Sequence, residues 1–158
     1  MERFMELYQT VYQDLYRLAY FYLGNAADAE DAVQETALAA CEHFEKLKNQ
    51  EAFRPWIFKI LVNGIRRHWR RRKPFEHSLE ETEGAYEPEL SSQTELLELL
   101  SCLEQEERLI VVLRVFGGYK SEEIARILNK NHSTVRSRYR RSLKKLEREL
   151  EQGKEKQG

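Results

Sequence analysis

Residues 121–150 read SEEIARILNKNHSTVRSRYRRSLKKLEREL, and their spacing decides what kind of fold this is. Ile124 and Leu128 share one face of a short helix that Ser121 can cap, with Glu122 and Glu123 in the first turn, where carboxylates suit the helix dipole. Residues 129–132 form a short polar turn. Ser133 can cap a longer helix on which Val135, Tyr139, Leu143, Leu146 and Leu150 make an apolar stripe. Two helices joined by such a turn, the second loaded with arginine, carry the helix-turn-helix signature. Opposite the stripe lie Ser133, Ser137, Arg140, Arg141 and Lys144, flanked by Thr134, Arg136 and Arg138. In this motif the first turns of the second helix enter the major groove. That places Ser133, Thr134, Arg136, Ser137 and Arg140 nearest base edges, and Arg141, Lys144 and Lys145 nearer phosphates. A basic helix that merely favours its own dipole is the rival. It fails because these charges begin at the helix's start, whereas the dipole acts on cations only within the last turn.

Working back from this motif, Leu96, Leu97, Leu99, Leu100 and Leu103, then Leu109, Ile110, Val112, Leu113 and Phe116, predict two supporting helices that Gly117 and Gly118 terminate. Residues 74–93, PFEHSLEETEGAYEPELSSQ, hold two prolines, one glycine and six glutamates with almost no periodicity. That composition reads as a solvated linker. Before it stands FRPWIFKILVNGIRRHWRRRK, residues 53–73, with eight Lys or Arg and no carboxylate. Phe53, Ile57, Ile60, Leu61 and Gly64 fall on one face, and Lys59, Asn63, Arg66, Arg70 and Lys73 on another, with Trp56 and Arg67 at the border. Such a helix can dock on a core and offer cations and an amide to a polyanion. Pro55 is tolerated in its first turn.

The chain's start supplies the rest of this first bundle. Phe4, Leu7, Tyr8, Val11, Leu15, Leu18, Ala19 and Tyr22 predict an amphipathic helix over residues 4–23. Gly24 ends it, and Asn25 caps a second helix over residues 26–44, with Ala29, Val33, Ala37, Ala40 and Phe44 inward. Asp28 and Glu30 suit that helix's N-terminus. Asp31 and Glu35 lie further along, and with Asp28 and Gln34 they form an outward stripe facing a basic partner.

The fold class is therefore all-α: a three-helix domain over 1–73, an acidic flexible linker over 74–93, a helix-turn-helix domain over 94–150 and a polar tail over 151–158. Formal net charge is −1, yet its distribution says more than its sum. Residues 1–53 carry four basic and ten acidic side chains, 54–73 eight and none, 74–107 none and eleven, 108–158 fourteen and six. Two separated basic surfaces suggest two contacts on one extended polyanion, with acidic surfaces for other partners. Cys41 and Cys102 are far apart, and the four histidines are scattered, so no metal-ligand spacing exists and both thiols read as reduced and partly buried. There is no nucleophile with its base and no carboxylate cluster, which argues against an enzyme, and nothing calls for a cofactor or a small-molecule substrate. Neither a signal peptide nor a membrane-length apolar run is present, which predicts a soluble, cytoplasmic protein without membrane insertion.

Three stretches in order, DAEDAVQET (28–36), FRPWIFKILVNGIRR (53–67) and YKSEEIARILNKNHSTVRSRYRRSLKKL (119–146), resemble the extracytoplasmic-function (ECF) sigma factors of bacterial RNA polymerase. The resemblance covers about residues 8 to 148 and corresponds to the minimal form, with only the second and fourth sigma regions. It implies that Asp28, Asp31, Gln34 and Glu35 dock on the clamp helices of core polymerase. It implies that residues 47–51 and the basic helix read and open the −10 element of promoter DNA, with Asn63 holding an unstacked base and Lys59, Arg66, Arg67, Arg70 and Trp56 beside it. Trp56 has a second reading, an aromatic that only packs at the domain's edge. The resemblance further implies −35 reading and flap contact by the C-terminal module, passage of the linker along the polymerase's RNA path, and restraint by an anti-sigma factor that is often membrane-tethered. The protein would be nucleoid-associated when active. Departures from the family's pattern are Leu61-Val62 before Asn63, Arg67 where an acidic residue is common, Leu103-Glu104 where Leu-Pro is typical, and Ser133-Thr134-Val135-Arg136 at the reading helix. They bear on promoter preference and leave the architecture alone. The rival reading is a stand-alone helix-turn-helix regulator, which would need neither the acidic stripe nor the tryptophan-bearing basic helix.

Overall fold

A computed structural model of the chain describes residues 1–69 and 90–157. Among these residues there are seven α-helices and no strand: α1 (Glu2–Leu23), α2 (Ala26–His43), α3 (Phe53–Trp69), α4 (Leu90–Leu100), α5 (Gln105–Val115), α6 (Ser121–Leu128) and α7 (His132–Gln157). The chain divides into two compact units, Met1–Glu83 and Gly84–Gly158, and the division falls inside the stretch read as a linker. The fold is all-α, as its periodicities predict.

In the N-terminal unit the turn between α1 and α2 follows the expected chemistry. Gly24 adopts a left-handed conformation (φ 87°) that lets its N–H reach the Tyr20 carbonyl at 2.8 Å. Asn25 then caps α2, its Oδ1 accepting from the Asp28 N–H at 2.8 Å while its Nδ2 donates to the Asp28 carboxylate at 2.7 Å. α3 packs against both α1 and α2. It therefore buries a wider arc than the single face predicted. Phe58, Val62 and Ile65 are fully buried beside Phe53, Ile57 and Leu61, whereas Ile60 and Gly64 are only half-buried. Ala37 and Phe44 of the predicted α2 face are likewise half-buried. A short 3-10 turn, Phe44–Lys46, takes over where α2 stops. A second, Gln50–Ala52, leads into α3, started by the Asn49 side chain accepting from the Glu51 N–H.

An aromatic cluster closes this end of the bundle. The Phe4, Phe44 and Phe53 rings meet edge-on at 5.4–5.9 Å between centroids, and Trp56 lies 5.8 Å from Phe53 and 6.5 Å from Phe44. These contacts fix the connection that enters α3, and Arg3 ties it to α1 by donating to the Gln50 side chain at 2.8 Å.

In the C-terminal unit α4 begins at Leu90, within the predicted linker, and carries Leu97 and Leu100 into a core completed by Leu103, Leu109, Ile110, Val112, Leu113, Ile124 and Val135. Buried Arg108 donates from Nε to the Leu100 carbonyl (3.2 Å) and from Nη2 to the Leu103 carbonyl (2.8 Å), satisfying the end of α4 from the next helix. The paired glycines after α5 have separate causes. A Cβ on Gly117 would stand 2.6 Å from the Leu113 carbonyl oxygen, and Gly118 has φ 72°. α6 begins at Ser121 rather than after it. Glu123 completes the cap by accepting from the Lys120 N–H at 3.0 Å. α7 likewise starts one residue before Ser133, with the Asn131 backbone carbonyl accepting from the Val135 N–H at 3.1 Å.

The α7 stripe differs from the prediction in one register. Val135 is fully buried and Tyr139 and Leu146 half-buried, but Leu143 is 43% and Leu150 54% exposed. Ser142 takes the inner position instead, fully buried, its hydroxyl donating to the Arg138 carbonyl at 2.7 Å. At about 100° per residue, Ser142 lies roughly 20° from Val135 and Leu143 roughly 80° on the other side, so backbone geometry outranks hydropathy here. Nor does the helix stop at Leu150. It runs to Gln157 through the residues read as a polar tail, whose Glu, Gln and Lys are good helix formers. Both cysteines are free and half-buried, as read from sequence.

Candidate nucleic-acid interface

Three rows of polar side chains stand out on these helices. On α2, Asp31, Gln34 and Glu35 are exposed on one face, as the spacing predicts. Asp28 differs from them, being half-buried and engaged with Asn25 at the helix start, so its role in the fold is local. Leu38, 67% exposed, lies in the same row and was missed. Its signal was present, since it sits seven residues after Asp31 and out of phase with inward Ala29, Val33 and Ala40.

On α3, Lys59 and Asn63 are exposed and Arg66 half-exposed, and about 100° per residue sets all three within one sector. Trp56 is half-buried, its ring against Phe44 and Phe53. Trp56 therefore packs at the domain's edge, with part of the side chain still open to solvent. Arg67 turns toward α2. It lines a groove of about 390 Å³ with Ala32, Glu35, Thr36, Ala39, Ile60 and Gly64. Arg70 and the other cations through Lys73 lie outside the described residues. Arg54, on the opposite border, pairs with Asp14 of α1 at 3.0 Å, its guanidinium 4.6 Å above the Phe58 ring.

On α7, Ser133, Ser137, Arg140 and Lys144 are exposed along one face, with exposed Arg136 and Arg141 on either side and Thr134 half-buried. The inner border of the helix carries different chemistry. Arg138 approaches Glu106 of α5 at 3.7 Å, Lys130 in the turn lies 2.6 Å from the same carboxylate, and Lys145 pairs with Glu107 at 2.8 Å. Lys145, placed near phosphates by the sequence, is therefore turned inward to a carboxylate, and Arg138 leans the same way. Burial alone would push the Glu107 carboxyl up. The Lys145 ammonium, the Glu104 N–H that donates at 3.0 Å and the nearby Arg141 outweigh it and hold the group below its ordinary value. Lys145 is correspondingly raised by its bond to Glu107. No group of His, Cys, Asp and Glu among the described residues has metal-ligand geometry.

Comparison with known proteins gives these surfaces a context. Residues 7–75 match Sigma-70 region 2, and residues 93–146 match Sigma-70, region 4. The RNA polymerase sigma factor SigV of Bacillus subtilis is 36% identical over 146 residues, covering 87% of this chain and 85% of SigV. The ECF RNA polymerase sigma factor EcfG of Rhodopseudomonas palustris is 31% identical, covering 78% of this chain and 71% of EcfG. The chain belongs to the ECF sigma factors of bacterial RNA polymerase. As a sigma factor it is an initiation subunit, which brings core RNA polymerase to specific promoters and binds promoter DNA to start transcription. Two solved structures share the sigma-factor fold. CnrH, in complex with the cytosolic domain of CnrY, has a TM-score of 0.72 at 24% identity, covering 96% of this chain and 90% of CnrH. RpoE of Bartonella quintana, in complex with the anti-sigma factor NepR, has a TM-score of 0.76 at 21% identity, covering 96% of this chain and 98% of RpoE. No helix among the described residues of this sigma factor is long and apolar enough to cross a membrane.

Proposed function

We propose that the two units divide promoter recognition between them. The N-terminal domain (1–73) docks on the clamp helices of core polymerase through Asp31, Gln34 and Glu35, with Asp28 holding the start of that helix. Its α3 face reads and opens the −10 element. Lys59, Arg66, Arg67 and Arg70 grip the backbone, Asn63 bonds the edge of an unstacked base, and Trp56 borders the strand. The C-terminal domain (94–150) reads the −35 element with Ser133, Thr134, Arg136, Ser137 and Arg140, while Arg141 and Lys144 contact phosphates and the module touches the polymerase flap. The acidic segment between the domains follows the RNA path. The protein performs no catalysis of its own and works in the cytoplasm on the nucleoid. An anti-sigma protein restrains it, a partner of the kind found in complex with RpoE of Bartonella quintana.

The observation that carries this reading is the α3 face itself. It holds an exposed amide between two cations, on a helix otherwise fixed into the core of its domain. An amide both donates and accepts, so it can match the paired donor and acceptor of a base edge in a way that a cation, which only donates, cannot. The test is run-off transcription with Bacillus subtilis core polymerase on a genome-derived template pool. Promoter-dependent transcripts are expected, and none from an active core would refute the proposal. On a template so identified, Asn63→Ala should lower permanganate reactivity of the bubble about tenfold, the worth of one lost hydrogen bond to a base. Initial complex formation should fall no more than about threefold, since phosphate contacts persist. Undiminished permanganate reactivity would remove Asn63 from the mechanism.

A further inference from the structure

The helix-turn-helix carries more cations than it shows. Arg126, Arg136, Arg140, Arg141 and Lys144 are exposed. Lys130 and Arg138 are instead bridged by a single carboxylate from the supporting helix α5. Glu106 Oε1 lies 2.6 Å from Lys130 Nζ, and Oε2 lies 3.7 Å from Arg138 Nη1. Lys130 sits in the turn, two residues before α7 begins, and Arg138 sits in the second turn of α7. One carboxylate thus ties the turn and the reading helix to the helix behind them. All three side chains keep a quarter to a third of their surface in water. The Oε1 that faces Lys130 is itself covered, but with all three side chains still partly in water the two pairs contribute only modestly to stability, so stability alone is a poor account of the arrangement. Its effect on DNA is larger. Each cation that reaches a phosphate adds a sequence-blind, salt-dependent increment to affinity, whereas discrimination comes only from base edges.

We propose that Glu106 is a specificity-determining positioning residue, which withholds Lys130 and Arg138 from DNA phosphates and fixes the register in which the Ser133, Ser137 and Arg140 face meets base edges. This rests on the reading of the C-terminal domain as the −35 reader. Glu106 touches no DNA itself. It suppresses indiscriminate binding, so that promoter sites compete better against the bulk of the genome.

The test uses the full-length protein on a double-stranded DNA of random sequence, followed by fluorescence anisotropy over a KCl series. Glu106→Gln should steepen the slope of log K against log salt by about 1 to 2, since each added phosphate contact contributes about 0.9. It should also tighten binding by roughly three- to tenfold at low salt. Glu106→Asp, which keeps the carboxylate, should retain the wild-type slope. The triple change Glu106→Gln, Lys130→Gln, Arg138→Gln should return the slope to at or below wild type. In holoenzyme run-off assays, random duplex should inhibit the Glu106→Gln protein at a correspondingly lower concentration. A residue that only braced the fold would lower affinity without steepening the slope. An unchanged or shallower slope for Glu106→Gln, with its thermal midpoint near wild type, overturns the proposal. Binding of the wild type that shows no salt dependence at all would instead overturn the DNA-reading assignment beneath it.

Discussion

Phe58→Ala should melt the N-terminal domain and abolish promoter-directed transcription, even though Phe58 meets neither DNA nor polymerase in the proposed function. The ring is fully buried where α3 meets the rest of the bundle, and the Arg54 guanidinium, anchored by Asp14, covers it at 4.6 Å. Truncating a buried phenylalanine to alanine costs about 3–5 kcal/mol. Ordinary domains have only about 5–15 kcal/mol in total, and a bundle of three helices sits near the lower end. Loss of the ring also strips the Arg54–Asp14 pair of the surface it lies on. Thermal unfolding followed by circular dichroism should therefore show the N-terminal transition shifted down by more than 10 °C or lost, at roughly 4–8 °C per kcal/mol. The helix-turn-helix domain should melt as in wild type. Lys59→Ala, one residue away and exposed, should move the midpoint little, within about 0.5 kcal/mol. If Phe58→Ala melts like the wild type, α3 is not packed as described, and the exposed face assigned to Lys59, Asn63 and Arg66 falls with it.

That contrast marks what residue spacing could and could not reveal. The helices and their order were legible because their boundaries carry local chemistry. Gly24 and Asn25 divide α1 from α2, and Gly117 and Gly118 stop α5. The outward residues of α3 and α7 were legible because a long polar side chain needs no knowledge of neighbours to be placed in water. Inward faces depend on how many neighbours a helix has. Periodicity assigned α3 one apolar face, but packing against two helices buries Phe58, Val62 and Ile65 as well. Ser142 shows the converse, because a hydroxyl that bonds its own helix's carbonyl can occupy a buried position that hydropathy would give to Leu143. The carboxylates that hold Lys130, Arg138 and Lys145 were also out of reach. Glu107 and Lys145 are 38 positions apart, and nothing local to the basic helix announces its acidic partner. As for the site, Asp31, Gln34 and Glu35 were readable as one row, whereas Leu38 was passed over because an aliphatic residue on a helix is ordinarily assigned inward.

Leu38 bears on the second large effect, the loss of core polymerase binding by Asp31→Arg. Asp31 is exposed and makes no hydrogen bond or ion pair among the described residues, unlike Asp28, whose carboxylate accepts from Asn25 at 2.7 Å. Reversing the charge at Asp31 should leave the thermal midpoint nearly unchanged, because surface substitutions away from caps cost little. Against a basic docking surface the same change exchanges an attraction for a repulsion, and like charges juxtaposed at an interface cost several kcal/mol. Affinity for core polymerase should fall roughly 30- to 300-fold, the equivalent of about 2–3.4 kcal/mol. Titration of labelled protein with Bacillus subtilis core, followed by anisotropy, would measure it, while affinity for random-sequence duplex DNA should not fall, because the cations of α3 and α7 are unaltered. Salt dependence separates the two parts of the surface. Raising ionic strength should weaken wild-type docking and narrow the gap between wild type and Asp31→Arg, since screening acts on exposed charges. Leu38→Ser should weaken docking by a factor that salt does not change, because the row pairs charge with an exposed aliphatic side chain and only the charge is screened. Equal core affinity for Asp31→Arg and wild type at low salt would take the α2 row out of the docking surface, and an anionic face elsewhere on the N-terminal domain would have to meet the polymerase.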